Sequence, residues 1–254
     1  MGFPLDEFDS ADDAALRPKP LAVQGEFPSI AVLCFFPEAI EDLHQREHLV
    51  RVGKFSDQVG GAGIFVTPSR DVAVFHPGVG GPLSAHCLEQ AIASGVQSVL
   101  AVGGAGALDE SFAKDNVIVV DAAVRDEGTS YHYLPPSRKV VFDVAENLLA
   151  IRDLAELGIN AREGTTWTTD ADFRETRARV ERRRAEGCVA VEMEAASLAA
   201  VCHFRGVRYV HLLYSGDDLH GLMWEERDWT TSNRRSQLLE AAIILSAAQQ
   251  VRLQ

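Results

Sequence analysis

The chain has 254 residues, of which 46% are hydrophobic and 24% are charged, and its formal net charge is -13. These proportions are typical of a globular protein with a full hydrophobic core, and a single α/β domain of this length is common. The negative charge argues against a nucleic acid polymer as partner, although a small anion needs only a few arginines or backbone N–H groups. Because no apolar run approaches about 18 residues and no charged-then-apolar leader is present, we expect neither a membrane span nor secretion.

The cysteines are scattered through apolar segments without a Cys-x-x-Cys pair, which predicts reduced core thiols and a cytoplasmic protein. They are Cys34, Cys87, Cys188 and Cys202. His44 and His48 are one helical turn apart in a charged segment with no third ligand evident, so we expect a solvated surface and no metal site there.

Residues 1–28 are rich in acids and prolines and predict an extended arm that is either loose or packed on its own or a neighbouring subunit. Residues 29–254 are expected to form one domain. In chain order, the predicted strands cover residues 29–36, 64–66, 72–75, 98–102, 117–123, 162–169, 189–191 and 209–214. The predicted helices cover residues 38–52, 83–94, 139–157, 174–186 and 230–251, with one more after 189–191 that ends at Arg205-Gly206. Strands that alternate with helices predict an α/β fold with a mostly parallel or mixed sheet.

Two glycine-rich segments follow predicted strands. Residues 76–82 predict a turn that leads into a helix, and residues 103–108 predict a second turn at the end of the strand 98–102. Neither has the spacing of a dinucleotide fingerprint or of a phosphate-cradling P-loop. Such turns bring backbone N–H groups close to a ligand, although the first segment, taken alone, is better explained as a plain tight turn.

Glu192 and Glu194 follow the predicted strand 189–191 and precede an Ala/Leu/Val-rich helix. Because residues two apart on a strand face the same way, both acids can point to one side at the end of the strand. Ligands bind at such strand ends in open α/β sheets. The alternative is that Glu192 caps the helix or forms a salt bridge and that Glu194 only begins the helix, where a carboxylate suits the dipole.

Further candidate residues lie in the second half of the chain. Asp217 follows the strand 209–214, which makes it a candidate site residue. Trp167 lies near the end of the strand 162–169. The arginine-rich run 174–186 predicts a solvated helix face. A tail with Trp224, Arg227 and Trp229 leads to the last helix.

Taken together, the segments 78–82, 103–108, 123–130 and 191–196 resemble, in order and approximate spacing, the nucleoside phosphorylase superfamily. That superfamily holds uridine phosphorylase, hexameric bacterial purine nucleoside phosphorylase and the adenosylhomocysteine-type nucleosidases. The resemblance covers residues 30–219 and implies a single-domain, three-layer α/β sandwich with a central mixed, mostly parallel sheet. It also implies cleavage of a ribose–base bond through an oxocarbenium-like transition state.

The resemblance assigns roles to individual residues. Glu194 matches the glutamate that grips the ribose 2′- and 3′-hydroxyls, and charge-assisted bonds of this kind are strong. Met193 matches a residue beside sugar and base, and Glu192 matches a neighbour nearer the base. Phe173 falls where the family places a base-stacking aromatic residue, and we add Trp167 to the predicted substrate site.

Asp217 matches the aspartate that donates a proton to the leaving base in purine-cleaving members. The uridine enzymes lack an acid at this point, although the loop 125–136 looks closest to theirs. Because a purine anion is a poor leaving group, a proton donor such as Asp217 indicates a purine substrate. We give this chemical argument more weight than the likeness of the loop, so the sequence favours a purine over a pyrimidine.

The phosphate site departs from the family pattern. Phosphorolytic members carry an arginine where this chain has Ala101 and a serine or threonine where it has Gly104, and their Gly-Asp-Pro-x-x-Arg loop is missing. Hydrolytic members share Gly-x-Ala-Gly in the second turn and an acid near Glu38. In this family an arginine often comes from the neighbouring subunit. The residues predicted to hold phosphate are Gly80, Gly104, Arg46, Arg51, Arg174 and Arg177.

These expectations favour phosphorolysis of a purine nucleoside to free base and ribose 1-phosphate. A hydrolytic nucleosidase is the alternative, and a catalytically silent nucleoside-binding protein is a third reading. The resemblance implies no cofactor beyond phosphate as co-substrate and no metal. It implies a homo-oligomer, either a dimer or a trimer of dimers.

Overall fold

A computed structural model describes residues 2–12, 14–113, 117–219, 225–226 and 233–251. Its strands are β1 (Ile30–Cys34), β2 (Val50–Lys54), β3 (Gly63–Val66), β4 (Val72–Phe75), β5 (Ser98–Ala107), β6 (Val117–Asp126), β7 (Lys139–Val141), β8 (Ala161–Thr169), β9 (Cys188–Glu192), β10 (Arg208–Asp218) and β11 (Glu225–Glu226). Its helices are α1 (Pro37–Gln45), α2 (Gly81–Ala93), α3 (Glu110–Ala113), α4 (Val144–Glu156), α5 (Arg177–Ala185), α6 (Ala195–Arg205) and α7 (Asn233–Val251).

In the described part of the chain, the strands form one mixed sheet in the order β11-β10-β6-β8-β9-β5-β1-β4-β3-β2, with β7 beside β6. Parallel pairing joins β4, β1, β5 and β10, and separately joins β6, β8 and β9. The pairs β5–β9 and β6–β10 are antiparallel. The strands β5, β10, β6, β8 and β9 therefore close a ring of hydrogen-bonded pairs.

Helices cover both faces of the sheet and give the molecule three layers. On β1, Ala31 and Leu33 join the core that includes α2 and α6, whereas Ile30, Val32 and Cys34 join the core that includes α1, α4 and α7. This alternation follows the two-residue period of a strand, and burial on both faces explains the continuous apolar run. The predicted α/β fold with three layers and a central mixed sheet is confirmed. No helix among the described residues is long and apolar enough to span a bilayer.

The sheet opens beside β5. One edge of this strand pairs with β10 from Ser98 to Ala107. The other edge pairs with β1 as far as Val102 and with β9 from Gly106 onward. Within the described ranges, no strand pairs with residues 103–105 on that edge, and the end of β9 lies next to the opening.

Four predicted elements differ from the structure. The glycine-rich segment 103–108 is not a turn, because β5 continues to Ala107. The predicted helix 38–52 ends as α1 at Gln45, and the chain then reverses through Glu47, whose φ is 61°, into a strand that pairs with β3. The missed signal is the alternation of Val50 and Val52 with polar residues.

The predicted helices 139–157 and 174–186 are shorter than expected. Lys139–Val141 pairs with β6 as a strand, and α4 then begins after Asp143, which accepts the backbone N–H of Ala145 at 2.8 Å. That side chain is an N-cap, which sets the start of the helix. The other helix, α5, begins at Arg177. Residues 230–232 of the last predicted helix and the tail residues Trp224, Arg227 and Trp229 lie outside the described residues.

The N-terminal arm packs on its own chain. Asp12 pairs with Arg205 at the end of α6, and the backbone N–H of Leu21 donates to the hydroxyl of Ser94 at 2.8 Å. Arg70 then binds the carbonyl oxygens of Gln24 and Glu26. The division into an arm of residues 1–28 and a domain of residues 29–254 stays a prediction.

Candidate active site

Glu192 is the last residue of β9, and its buried carboxylate caps the helix that follows. Its Oε2 atom accepts backbone N–H bonds from Glu194 at 2.7 Å and from Ala195 at 2.6 Å. Its Oε1 atom accepts a bond from the hydroxyl of Thr168 at 2.6 Å. A carboxylate at a helix N-terminus satisfies N–H groups that lack intrahelical partners. Burial still raises the pKa of Glu192 above its usual range.

Glu194 lies at the N-cap of α6 and joins it to the first glycine segment. Its Oε1 atom accepts the backbone N–H of Gly80 at 2.5 Å. Burial raises the pKa of Glu194, and the charge of Glu192 raises it further. Only 7% of Glu194 and 6% of Glu192 are exposed, whereas Met193 between them is partly exposed. The segment therefore places two buried carboxyl groups and one partly exposed thioether side chain at the end of β9.

The first glycine segment meets α6 closely because it carries no side chains. Gly80 adopts a φ of 90° just before α2. A Cβ atom on Gly81 would lie 2.4 Å from Oγ of Ser197 and 3.0 Å from Oγ1 of Thr129. Position 81 therefore requires glycine. The contact brings together the start of α2, the start of α6 and the loop after β6.

Two buried charged side chains, which the sequence analysis did not place in the site, fasten the loop after β6. Arg125 donates bonds to the hydroxyls of Ser130 at 2.8 Å and Ser137 at 2.7 Å. Glu127 accepts the backbone N–H of Ser130 at 2.9 Å and the hydroxyl of Ser197 at 2.7 Å. These bonds hold the polar loop against α6. The two charged side chains can be buried there because polar partners satisfy them.

The glycines of β5 allow neighbouring strands to bring side chains against it. Gly104 is exposed in a strand whose other residues are buried, and its partner on β10 is Tyr214. The ring of Tyr214 would lie 3.3 Å from a Cβ atom at position 104. Gly106 pairs with Val191 of β9 on one edge and with Asp217 of β10 on the other. The sheet opening is therefore bordered by the predicted ribose-binding segment and by the predicted acid.

Asp217 is buried beside Gly106, with Oδ1 3.2 Å from the position that a Cβ atom on that glycine would take. Its charge acts on Glu175, whose pKa is raised to about 7 by burial first and then by Asp217 and Asp172. Glu175 follows a short 3-10 turn, Asp172–Arg174. The sequence does not single out Glu175, because one acid within an arginine-rich run carries no pattern of its own.

The two predicted aromatic residues lie in contrasting places. Trp167 is fully buried, and its Nε1 donates to a carboxylate oxygen of Asp126 at 2.9 Å. The guanidinium of Arg183 lies 5.3 Å from the Trp167 ring centre. Phe173, in contrast, is 96% exposed. Contact of either ring with a base stays a prediction.

The four arginines predicted to hold phosphate are all exposed. Arg46 pairs with Glu240 at 2.5 Å, and Arg51 lies on β2. Arg174 ends the 3-10 turn before Glu175, and Arg177 begins α5, so the two arginines flank Glu175 and Thr176. Binding of phosphate by these arginines stays a prediction.

A guanidinium group that the sequence analysis did not single out lies beside Tyr214. Arg235, on the first turn of α7, donates from Nε to the hydroxyl of Tyr214 at 2.8 Å and pairs with the carboxylate of Glu38. Its guanidinium carbon lies 5.2 Å from the ring centre of Phe36. Because these residues come from distant segments, no local motif indicates their meeting. Among the described residues, no three His, Cys, Asp or Glu side chains gather as a metal site.

The fold defines an α/β protein with an opening beside a glycine-rich strand, and buried carboxyl groups border this opening. The chain belongs to the phosphorylase superfamily, because the model of the family described as "Phosphorylase superfamily" matches residues 29–247. The resemblance to nucleoside phosphorylases and nucleosidases is therefore confirmed.

Relatives with named activities include both uridine and purine enzymes. The chain is 32% identical over 146 residues to a uridine phosphorylase of Thermococcus kodakarensis, which covers 58% of this chain and 48% of the relative. The chain therefore spans about half the length of that relative. It is 26% identical over 199 residues to a guanosine phosphorylase of Halorubrum lacusprofundi, which covers 76% of this chain and 80% of the relative.

Solved structures share the fold at low sequence identity. An AMP nucleosidase from Bacteroides thetaiotaomicron superimposes with a TM-score of 0.72 at 20% identity, covering 89% of each chain. A purine nucleoside phosphorylase from Toxoplasma gondii, in complex with immucillin-H, gives a TM-score of 0.76 at 19% identity. This second match covers 94% of this chain and 98% of the other. At such identities the matches establish the fold alone.

Proposed function

We propose that this protein cleaves the N-ribosidic bond of a purine ribonucleoside by phosphorolysis, giving free base and ribose 1-phosphate. The observation that carries the proposal is the pairing of Gly106 with Val191 on one edge and Asp217 on the other. This pairing brings the Glu192–Glu194 segment and Asp217 to the same opening of the sheet. The family membership supports the same reaction class.

Glu194 is proposed to hold the ribose. Its carboxylate is fixed by the N–H of Gly80, so it is oriented before a substrate arrives. A carboxylate accepts hydrogen bonds from two neighbouring hydroxyl groups, and the 2′- and 3′-hydroxyls of ribose present two donors side by side. Met193, partly exposed between the two buried glutamates, is proposed to pack against the sugar and base.

Asp217 is proposed to supply the proton that the leaving purine needs. As the bond between C1′ and N9 breaks, its electron pair moves into the base, and a proton from Asp217 to N7 prevents a free purine anion. Asp217 and Glu175 interact through their charges. Burial and the charge of Asp217 raise the pKa of Glu175, so Glu175 is the member of this pair that holds a proton more readily.

Phosphate is proposed to attack C1′ as the base departs, so that a C1′–O bond replaces the C1′–N9 bond. Such a dianion needs several donors to be held in place. Backbone N–H groups at Gly80 and Gly104 and the exposed arginines Arg46, Arg51, Arg174 and Arg177 remain the candidates proposed from sequence. Surface arginines just after α1 and on β2 suit a contribution to a neighbouring subunit. We therefore propose a homo-oligomer, a dimer or a trimer of dimers.

Hydrolysis is the second candidate reaction. Glu38 lies beside Arg235 and Tyr214 near the opening, and a carboxylate in that place suits activation of a water molecule.

The four cysteines are buried thiols, which supports a cytoplasmic location.

The test is a panel of purine and pyrimidine nucleosides incubated with the protein in phosphate-free buffer and then with added phosphate. We expect release of purine bases that depends on phosphate and appears together with ribose 1-phosphate. Equal release of base and free ribose in both buffers would instead establish hydrolysis. Binding of nucleosides without any turnover would establish a silent binding protein.

A further inference from the structure

The side chains of Glu38, Tyr214 and Arg235, named here the cation cluster, form one bonded group beside β5. Arg235 binds the Tyr214 hydroxyl at 2.8 Å and pairs with Glu38. The guanidinium also lies 5.2 Å from the ring centre of Phe36 and 5.9 Å from that of Tyr214. Two aromatic faces and two polar partners therefore fix the position of this cation.

The cation cluster occupies space that a side chain on residue 104 would otherwise take. Tyr214 pairs with Gly104 in the sheet, and its ring would lie 3.3 Å from a Cβ atom there. Because Gly104 is the exposed residue of β5, the cluster stands at the sheet opening. The hydroxyl oxygen of Tyr214 lies 3.8 Å from the position that a Cβ atom on Gly104 would take.

We propose that Arg235 and Tyr214 are the groups that bind the phosphate co-substrate. When phosphate is absent, the Glu38 carboxylate forms an ion pair with the Arg235 guanidinium in its place. The proposal rests on the proposed phosphorolysis. Arg235, in place of the surface arginines, is then the main source of positive charge for phosphate. The planar guanidinium of arginine binds phosphate oxygens through parallel N–H bonds, and a tyrosine hydroxyl adds a further donor.

The exposure of the two charged partners fits an exchange of anions. The side chain of Arg235 is 11% exposed, whereas that of Glu38 is 48% exposed. Arg235 therefore stays in place, while the Glu38 carboxylate can turn into water with little rearrangement. In a chain with a net charge of -13, a carboxylate on this guanidinium also repels other anions until phosphate displaces it.

The experiment measures the KM for phosphate and the kcat of the wild-type protein and of Arg235→Gln, Tyr214→Phe and Glu38→Gln. Because a hydrogen bond to a charged group is lost, Arg235→Gln should raise the KM for phosphate about tenfold or more. Tyr214→Phe should raise it by a smaller factor. Glu38→Gln should lower it several-fold, because the competing carboxylate is gone. The exposed neighbour Arg234→Gln is the matched control and should leave it unchanged.

Binding of inorganic phosphate to the nucleoside-free protein, followed by calorimetry, separates this proposal from the proposed function. If the wild type makes free ribose, phosphorolysis is wrong, yet loss of phosphate binding in Arg235→Gln would still support the anion site. Unchanged phosphate binding in both Arg235→Gln and Tyr214→Phe would overturn the site. A Glu38→Gln variant that loses hydrolysis instead of gaining phosphate affinity would assign Glu38 to water activation and would also overturn it.

Discussion

The carboxyl groups at the end of β9 and the cation cluster beside β10 are held in contrasting ways. Glu192 and Glu194 are almost fully buried, and backbone N–H groups bind both of them at 2.5–2.7 Å. In the cation cluster, side chains bind side chains, and Glu38 is about half exposed. The first region is rigid because the backbone fixes it, whereas the second can exchange one anion for another. This difference suits a sugar that must be oriented and a co-substrate that must enter and leave.

The largest expected effect concerns the acid on β10. Asp217→Asn should lower turnover of purine nucleosides by about 10²-fold or more, because the leaving base is no longer protonated. A nitrophenyl riboside, whose leaving group needs no proton, should lose far less. Steady-state rates with both substrates check this expectation. Equal losses with both would remove Asp217 from the role of acid.

The next effect concerns the rigid side. Glu194→Gln keeps the shape of the side chain but loses the charged acceptor, which should weaken transition-state binding of ribonucleosides by about 1.5–3 kcal/mol. The measurement is kcat/KM for a ribonucleoside and for its 2′-deoxy analogue. We expect the variant to discriminate less between the two. Unaltered kinetics on ribonucleosides would show that Glu194 does not hold the sugar.

Paired glycine substitutions compare how far each region can adjust. Gly81→Ala places a methyl group 2.4 Å from Oγ of Ser197, on the rigid side. Overpacking of this kind costs about 1–3 kcal/mol of unfolding free energy. Gly104→Ala meets the Tyr214 ring at 3.3 Å and should cost less than about 1 kcal/mol, because that ring can shift. Gly128→Ala, whose nearest neighbour lies at 3.9 Å, is the control in denaturant unfolding. A larger cost at 104 than at 81 would reverse the comparison.

The smallest expected effect is the pH dependence of stability. Burial raises the pKa of Glu194 in the folded protein, so the folded state binds more protons than the unfolded state between the two pKa values. The free energy of unfolding should therefore fall as pH rises from the ordinary glutamate range towards neutrality, and Glu194 contributes at most about 1.4 kcal/mol per pH unit to this slope. Glu194→Gln should flatten this slope. A slope that is the same in both proteins would show that Glu194 ionises freely.

The sequence predicted the rigid region better than the cation cluster, and the reason is the distance between the contributing residues. Glu192 and Glu194 come from one short segment whose strand-to-helix change is visible as an apolar run followed by an alanine-rich run. Both residues can therefore be named from the sequence, and so can the cap that Glu192 forms on α6, which the sequence offered as the alternative to a substrate role. Arg235 meets Glu38 and Tyr214 only because α7 and α1 cover the same face of the sheet. No pattern in the sequence indicates that contact.

The strand β5 illustrates the limit of local patterns. Its glycines predict a turn, because glycine usually marks one. In the structure they remain in a strand, since they admit the Tyr214 ring at position 104 and the Leu219 and Asp217 side chains at Gly106. Tertiary packing, which a single sequence does not display, decided between the two outcomes.

Phosphate, and not water, is proposed to attack C1′ of the ribose. The most direct test is to run the reaction with a purine nucleoside and phosphate in ¹⁸O-labelled water and to analyse the sugar product by mass spectrometry. If phosphate is the nucleophile, the product is ribose 1-phosphate without ¹⁸O at C1, because that oxygen comes from phosphate. Free ribose carrying ¹⁸O at C1, formed at the same rate when phosphate is omitted, would contradict it.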